Sequence, residues 1–292
     1  MERHVMHNPP PGPEGRLAQA PTPPRGVSAG MGGGVGACAN LPSGPGGGLC
    51  ITCLSMTLRL YLDHPLGPGQ AVALPAEQAH YLMNVMRRAP GEVIELFNGR
   101  DGAWSARLAA LSRRGGQAEV LAQVAPQRDP PDLWLCFAPI KKARTDFIVE
   151  KATEMGAARI LPVQTDHTNA ERIRRDRLQA HAVEAAEQCG GTFVPEVADL
   201  MPLGRLLDGL DGRRLLWADE AAAGPATALD GLPRGSWAIL IGPEGGFSQA
   251  ERNRLRGMEA VTRISLGPRI LRADTAAVAA LALWQAALGD WG

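Results

Sequence analysis

Two glycine-bearing segments near the C-terminus carry the residue types best suited to holding a small ligand. The first reads Ile241-Gly242-Pro243-Glu244-Gly245-Gly246-Phe247-Ser248, and about twenty residues later comes Ile264-Ser265-Leu266-Gly267-Pro268-Arg269-Ile270-Leu271-Arg272-Ala273-Asp274-Thr275. Each follows an apolar run and precedes a helical pattern, the place where α/β proteins offer unpaired backbone N–H groups to a ligand. Two such loops so close in sequence point to one shared site. Gly242, Gly245 and Gly246 let the backbone approach a ligand without a Cβ in the way, and Leu266, Ile270 and Leu271 are suited to pack on a flat aromatic ring such as adenine. The competing reading is that the glycines serve only tight turns. The first loop lacks the Gly-Lys-Ser/Thr ending of a triphosphate cradle, and no G-x-G-x-x-G fingerprint opens a β-α-β unit.

The elements that must position these loops form an alternating series. Leu133–Ala138 is a continuous apolar run. After it, a helix puts Ile148, Ala152 and Met155 on one face before Gly156 stops it. A strand over 158–163, a long helix from about Arg172 to Gln188 and strands at 214–218 and 237–241 follow. Ser248-Gln249-Ala250-Glu251 has capping-box spacing, and the last helix is expected from about Thr275 to Leu288. Alternation of this kind implies a largely parallel sheet covered by helices. Upstream, from Met56 to about Arg128, short strand candidates at 56–62, 71–74, 93–97, 102–108 and 117–124 flank one helical stretch, 79–86. They read as a small barrel, joined to the rest by the linker Arg128–Asp132.

Residues 1–55 differ: 12 Gly and 9 Pro fall here with no apolar periodicity, so the segment is expected to be disordered, with translation expected to begin naturally at Met56. The whole chain has 30 basic and 30 acidic residues, so a polyanionic partner must be met by local basic clusters. No run approaches a membrane span and no signal-peptide core is present, which gives the expectation of a cytoplasmic protein. Five scattered cysteines argue against a disulfide framework. Cys50-x-x-Cys53 has no second pair, and His80, His167 and His181 have no metal-ligand spacing, so no metal is expected.

The two loops together strongly resemble the RsmE family of ribosomal RNA methyltransferases. Further matches occur in order: His80-Tyr81-Leu82 with Val85-Met86-Arg87, Ile140-Lys141-Lys142, Glu150–Gly156, Glu184–Gly190 and Val194–Val197, so that the resemblance covers roughly residues 56–292. It implies a PUA-like β-barrel over 56–128, then a SPOUT-type α/β methyltransferase domain over 132–292 whose C-terminal segment forms a trefoil knot. It also implies S-adenosylmethionine as cofactor, a homodimer, and methylation of N3 of a uridine in 16S rRNA of the small ribosomal subunit. Carried over by motif, the cofactor site would comprise Leu240, Gly242, Gly245, Gly246, Leu266, Gly267, Ile270, Leu271 and Arg272.

Uracil N3 carries a proton and is a poor nucleophile until that proton is lost, so a base or a cation beside the uracil oxygens is needed. Arg272 is the candidate cation, against a surface ion pair. Asp274 is the candidate base or orienting group, against a plain helix cap. Asp274 stands where the family usually has a glutamate, and Gly191 where it often has an arginine. Among the basic clusters, the resemblance favours Arg87, Arg88, Lys141 and Arg144 for RNA contact. Cys189 reads as a packed thiol, since nitrogen methylation needs no covalent adduct. Two other readings stay open: a SPOUT methyltransferase acting on another RNA site, and a non-catalytic RNA-binding ribosome assembly factor.

Overall fold

Alternation of buried and exposed side chains builds the first sheet. Strands β1 (Arg59–Tyr61), β2 (Ala71–Leu74), β3 (Val93–Phe97), β4 (Ala103–Ser112) and β5 (Gly115–Ala125) pair in the order β1-β3-β4-β5-β2, antiparallel except for β1 against β3. In β2, Val72 and Leu74 are buried while Ala71 and Ala73 face solvent. Both edge strands, β1 and β2, contribute to the same core as the middle ones (Leu60, Val72, Ile94, Leu108, Val120), so the sheet wraps around its own interior. Irregularities in the β4–β5 register supply the bends that wrapping needs. The helical stretch expected at 79–86 is α1 (Ala76–His80) running into a π-helical turn, Tyr81–Val85. The computed structural model describes residues 57–169, 172–222, 224, 226, 227, 229 and 231–292; the expectations for the 1–55 tail, the start at Met56 and the Cys50/Cys53 pair lie outside them.

The second sheet is parallel throughout, as continuous apolar strands require. Its strands are β6 (Leu133–Phe137), β7 (Arg159–Gln164), β8 (Glu196–Val197), β9 (Met201–Pro202), β10 (Arg214–Ala218), β11 (Trp237–Ile241) and β12 (Val261–Ile264). They lie in the order β12-β10-β11-β6-β7-β8, with β9 also on β7. On one face α2 (Lys142–Glu154), α3 (Arg175–Cys189) and α6 (Ala273–Ala287) enclose Leu135, Phe137, Ile239 and Trp284. The other face packs Trp217, Leu240 and Phe247 under α4 (Leu203–Asp208) and α5 (Gln249–Arg256).

β12 is the sheet's edge, yet α6 packs on α2 and β11, so the segment between them carries the chain from the edge back to the middle of the sheet, and it is bonded to the β10–β11 connection on the way. Thr227 N donates to Ser265 O (3.0 Å) and Ser265 N to Thr227 Oγ1 (2.8 Å), holding the two passages together. Such a path is consistent with the knot the resemblance implies.

The two sheets are cemented by Arg59. Its Nη1 donates to Ala186 O (3.1 Å) and Nη2 to Gly191 O (3.0 Å) at the end of α3, while Nε pairs with Glu95 at 2.5 Å and the guanidinium stacks over Phe97. Tyr61 N donates to Glu187 Oε1 (2.8 Å) alongside. The described residues accordingly fall within one compact unit. Cys189, expected as a packed thiol, is instead exposed: it is the last residue of α3, past the buried positions Leu178, Ala182, Ala185 and Ala186, and left-handed Gly190 ends the helix directly after it.

Candidate active-site cleft

Both glycine loops open at the C-terminal ends of parallel strands, and they line one cleft of about 500 Å³. The first leaves the fully buried strand β11 and re-enters structure at α5 through a complete capping box: Glu251 N donates to Ser248 Oγ and Ser248 N to Glu251 Oε2 (2.8 Å). The second joins β12 to α6, whose first residue is Ala273.

Of the nine expected cofactor contacts, Gly242, Leu266, Gly267, Ile270, Leu271 and Arg272 line the cleft. Leu240, Gly245 and Gly246 do not. Leu240 is fully buried in the layer beneath α4 and α5. Gly246 has φ +68° and its N–H donates to Pro243 O (2.9 Å), which makes it the turn glycine of the loop. The Gly245 and Gly246 carbonyl oxygens lie 3.1 and 3.2 Å from His167 Nδ1. A Cβ on Gly242 would stand 2.6 Å from the Phe247 ring, so this glycine lets the loop fold back over its own phenylalanine. Gly267 is different: at φ +116°, the position a Cβ would take is open space on the cleft wall. The Gly267 N–H donates to Ser265 Oγ (3.2 Å), whereas those of Leu266, Ile270 and Leu271 have no acceptor among the described residues.

Two carboxylates absent from the sequence reading, Asp219 and Glu220, also line the cleft, directly after β10. Asp219 is buried; Arg252 bonds both acids, and Arg263 Nε donates to Asp219 Oδ2 at 2.6 Å. Burial pushes the Asp219 carboxyl up, but the Arg252 bond, the Ala221 amide and the charges of Arg252 and Arg263 outweigh it and hold the group below its ordinary value. The strand-end position that singled out the glycine loops would have found these residues too. Arg269 on the second loop was likewise missed.

Arg272 is exposed on the cleft wall and has no carboxylate partner among the described residues. Asp274 is not on that wall: its Oδ2 accepts from Arg144 Nη1 at 2.6 Å and its Oδ1 from Thr275 N (2.9 Å), so the α6 N-terminus is tied to α2. It does not cap the helix, for the N-cap position is Arg272. Of the basic residues expected at RNA, Lys141 lines the cleft and Arg87 is exposed with φ +52°, while Arg88 is paired with Glu92 (2.8 Å) and Arg144 with Asp274. Among the described residues no group of His, Cys, Asp or Glu is placed to hold a metal, and no helix is long and apolar enough to cross a membrane.

Comparison with known proteins agrees with this layout. Residues 127–285 match the RNA methyltransferase domain family, and residues 74–121 match the PUA domain of RNA methyltransferases. Ribosomal RNA small subunit methyltransferase E of Bacillus subtilis is 30% identical over 225 residues, covering 72% of this chain and 87% of its own length. The protein of that name from Synechocystis is 31% identical over 220 residues, 72% and 71% of the two chains. Among solved structures, ribosomal RNA small subunit methyltransferase E from Neisseria gonorrhoeae bound to S-adenosyl methionine superposes with TM-score 0.74 at 32% identity, over 81% of this chain and all of that one. A Legionella pneumophila methyltransferase in complex with the same cofactor gives TM-score 0.74 at 28% identity, over 80% and 99%. With its family domain spanning more than half of its length, its PUA match and these relatives, the chain belongs to the RNA methyltransferase family that includes ribosomal RNA small subunit methyltransferase E.

Proposed function

We propose that this protein methylates N3 of a uridine in the 16S rRNA of the small ribosomal subunit, using S-adenosylmethionine held in the cleft, and works as a cytoplasmic homodimer. The observation that carries the reading is the convergence of both glycine loops on one cleft at the C-terminal edge of a parallel sheet.

The residues present fit the cofactor. Leu266, Ile270, Leu271 and Ala276 give an apolar wall for an adenine face, the N–H groups of Leu266, Ile270 and Leu271 are available to its edge, and Gly267 leaves room where any side chain would intrude. Bound there, S-adenosylmethionine supplies a methyl group made labile by its positive sulfur. The protein's task is then alignment, exclusion of water and stabilisation of a uracil anion. Arg272 adds unpaired positive charge at the cleft. Asp274 acts as an orienting group by fixing Arg144 and with it the junction of α2 and α6. Residues 56–128 serve as the RNA-binding barrel and 132–292 as the methyltransferase domain, with Arg87 and Lys141 as direct RNA contacts and Arg88 and Arg144 beside them.

Calorimetric titration with S-adenosylmethionine, followed by mapping of methylated uridines in 16S rRNA from cells with and without the gene, tests the reading. A chain that binds no cofactor is the non-catalytic assembly factor; one that binds cofactor but modifies a different nucleotide acts on another RNA site.

A further inference from the structure

A second cavity of about 300 Å³ adjoins the cleft, lined by Pro139, Ile140, Lys141, Asn169, Pro243 and Glu244. Lys141, Pro243 and Glu244 line both spaces, so they form the wall where the two meet. Methyl transfer needs the acceptor atom about 3–3.5 Å from the methyl carbon and in line with the breaking bond. The acceptor must therefore occupy a space that opens onto the cofactor cleft. We propose that the second cavity receives the uracil ring of the acceptor, with the Lys141 ammonium against a uracil carbonyl oxygen and the Asn169 amide on the ring's edge; this rests on the reading that a uridine is methylated at N3.

Local structure holds Lys141 at that wall. Ile140 N donates to Thr145 Oγ1 (3.1 Å) and Thr145 Oγ1 donates to Ile140 O (3.1 Å), while Thr145 N donates to Lys141 O (3.0 Å). Thr145 is buried, so the turn that presents Lys141 at the start of α2 is pinned from inside. The neighbouring cations Arg144 and Lys151 are paired with Asp274 and Glu154; Lys141 is exposed and has no carboxylate partner among the described residues. Arg272 lines the first space but not the second, which leaves Lys141 as the cation that faces the acceptor.

The chemistry needs such a group. Loss of the N3 proton to water spreads negative charge over N3 and the two carbonyl oxygens, and a cation beside one oxygen stabilises that anion over the neutral ring. N3 then donates its lone pair to the methyl carbon as the carbon–sulfur bond breaks and its electron pair remains on sulfur, so the charges of anion and sulfonium cancel. Placed at O4, the same ammonium also selects the base, because cytosine presents an amino group where uracil presents that oxygen.

Two measurements test this. In cofactor-free protein, fluorine NMR of 5-fluorouridine monophosphate follows ionisation at N3. Wild type is expected to lower the pH of that transition for the bound nucleotide, and Lys141→Met to abolish the shift. In turnover on 16S rRNA lacking the modification, Lys141→Met is expected to lower kcat by about 100-fold, as loss of one charge-stabilising donor does, and to move the pH–rate profile to higher pH. Lys141→Arg should restore the profile, and Asn169→Ala should raise KM with little change in kcat. Calorimetry with S-adenosylmethionine shows that each variant is folded, and if Lys141→Met is not, the arginine and Asn169 variants decide. A Lys141→Met protein with wild-type kcat and pH profile, or wild type that binds no 5-fluorouridine monophosphate, overturns the inference while the function stands. Wild type that leaves every uridine unmodified overturns both.

Discussion

Gly242→Ala puts the loop argument at risk most directly. The added Cβ would lie 2.6 Å from Phe247 Cε2 and 3.1 Å from Cδ2 and Cζ. The ring has nowhere to go: Phe247 is 4% exposed and meets Trp217 edge-on with centroids 5.8 Å apart. Overpacking of this kind costs about 1–3 kcal/mol. For a chain of this size that lowers Tm by roughly 2–12 °C, at about 2–4 °C for each kcal/mol. If the loop relieves the clash by moving outward, binding must pull it back against the same energy, and cofactor affinity falls by about 5- to 150-fold, since 1.4 kcal/mol is tenfold. Thermal melts and calorimetry with S-adenosylmethionine read both effects. The partner variant Phe247→Leu removes the ring edge, so in the double variant part of the loss should return, a coupling above about 0.5 kcal/mol. Strictly additive losses, or an alanine variant with unchanged Tm and affinity, would refute the claim that Gly242 is glycine for the sake of Phe247.

Other consequences follow from the charge contacts. Arg59→Ala removes the guanidinium that bonds the end of α3 and Glu95, and should cost about 2–3 kcal/mol in denaturant unfolding, with faster amide exchange in β1 and β3 but little change in cofactor affinity. Asp219→Asn should flatten the acid limb of the stability curve. Because the folded carboxyl titrates below its ordinary value of 3.8, its stabilisation is present above that value and is lost as pH falls through the depressed one, so wild type and variant should converge at low pH and differ by a constant amount above about pH 5. A double-mutant cycle on Arg144 and Asp274, whose side chains are 32% and 15% exposed, should give a coupling of about 0.5–1 kcal/mol; zero coupling would deny Asp274 its orienting role. Replacing Arg269 and Arg272 together by alanine should reduce the slope of log affinity for RNA against log salt by about 1.4–1.8, and an unchanged slope would remove both from the interface.

What was legible in the chain is what local pattern alone decides. Strand β11 reads as an unbroken apolar run because all five of its residues are buried between helical layers, and Ser248–Glu251 announces the start of α5 because a capping box is a four-residue feature. Less legible were features set by distant neighbours. The two-residue strands β8 and β9 are too short to show periodicity. A π-turn at Tyr81–Val85 leaves the same apolar spacing as a continued helix. Helix α6 begins at Ala273, two residues before the expected Thr275, because Arg272 takes an extended conformation and stops the loop there without a side-chain cap. Leu240 was grouped with the cleft by its place in the motif, but strand side chains alternate: Ile241 reaches the cleft wall and Leu240 points into the opposite layer. Asp219 and Glu220 directly follow the apolar run of β10, so their strand-end position was legible; what the chain does not show is that Arg252, more than thirty residues away, neutralises both.

That ionic arrangement explains how a chain with no net charge can meet a polyanion. Asp219 and Glu220 would by themselves make the cleft acidic and repel RNA. Arg252 and Arg263 neutralise them from behind, on the side of α5 and β12, and Asp274 is neutralised by Arg144. The wall keeps Lys141, Arg269 and Arg272 with no carboxylate partner among the described residues, against the single unpaired acid Glu244. The sign of the local field is thus set by which charges remain unpaired rather than by how many of each the sequence holds. Since exposed charges are screened over about 10 Å at 0.1 M salt, three cations on one wall act on a phosphate only at the mouth of the cleft, where the acceptor must enter. Under the proposed function, pairing the acids inward and leaving the bases outward would let one cleft bury a cationic cofactor and still draw in an anionic substrate.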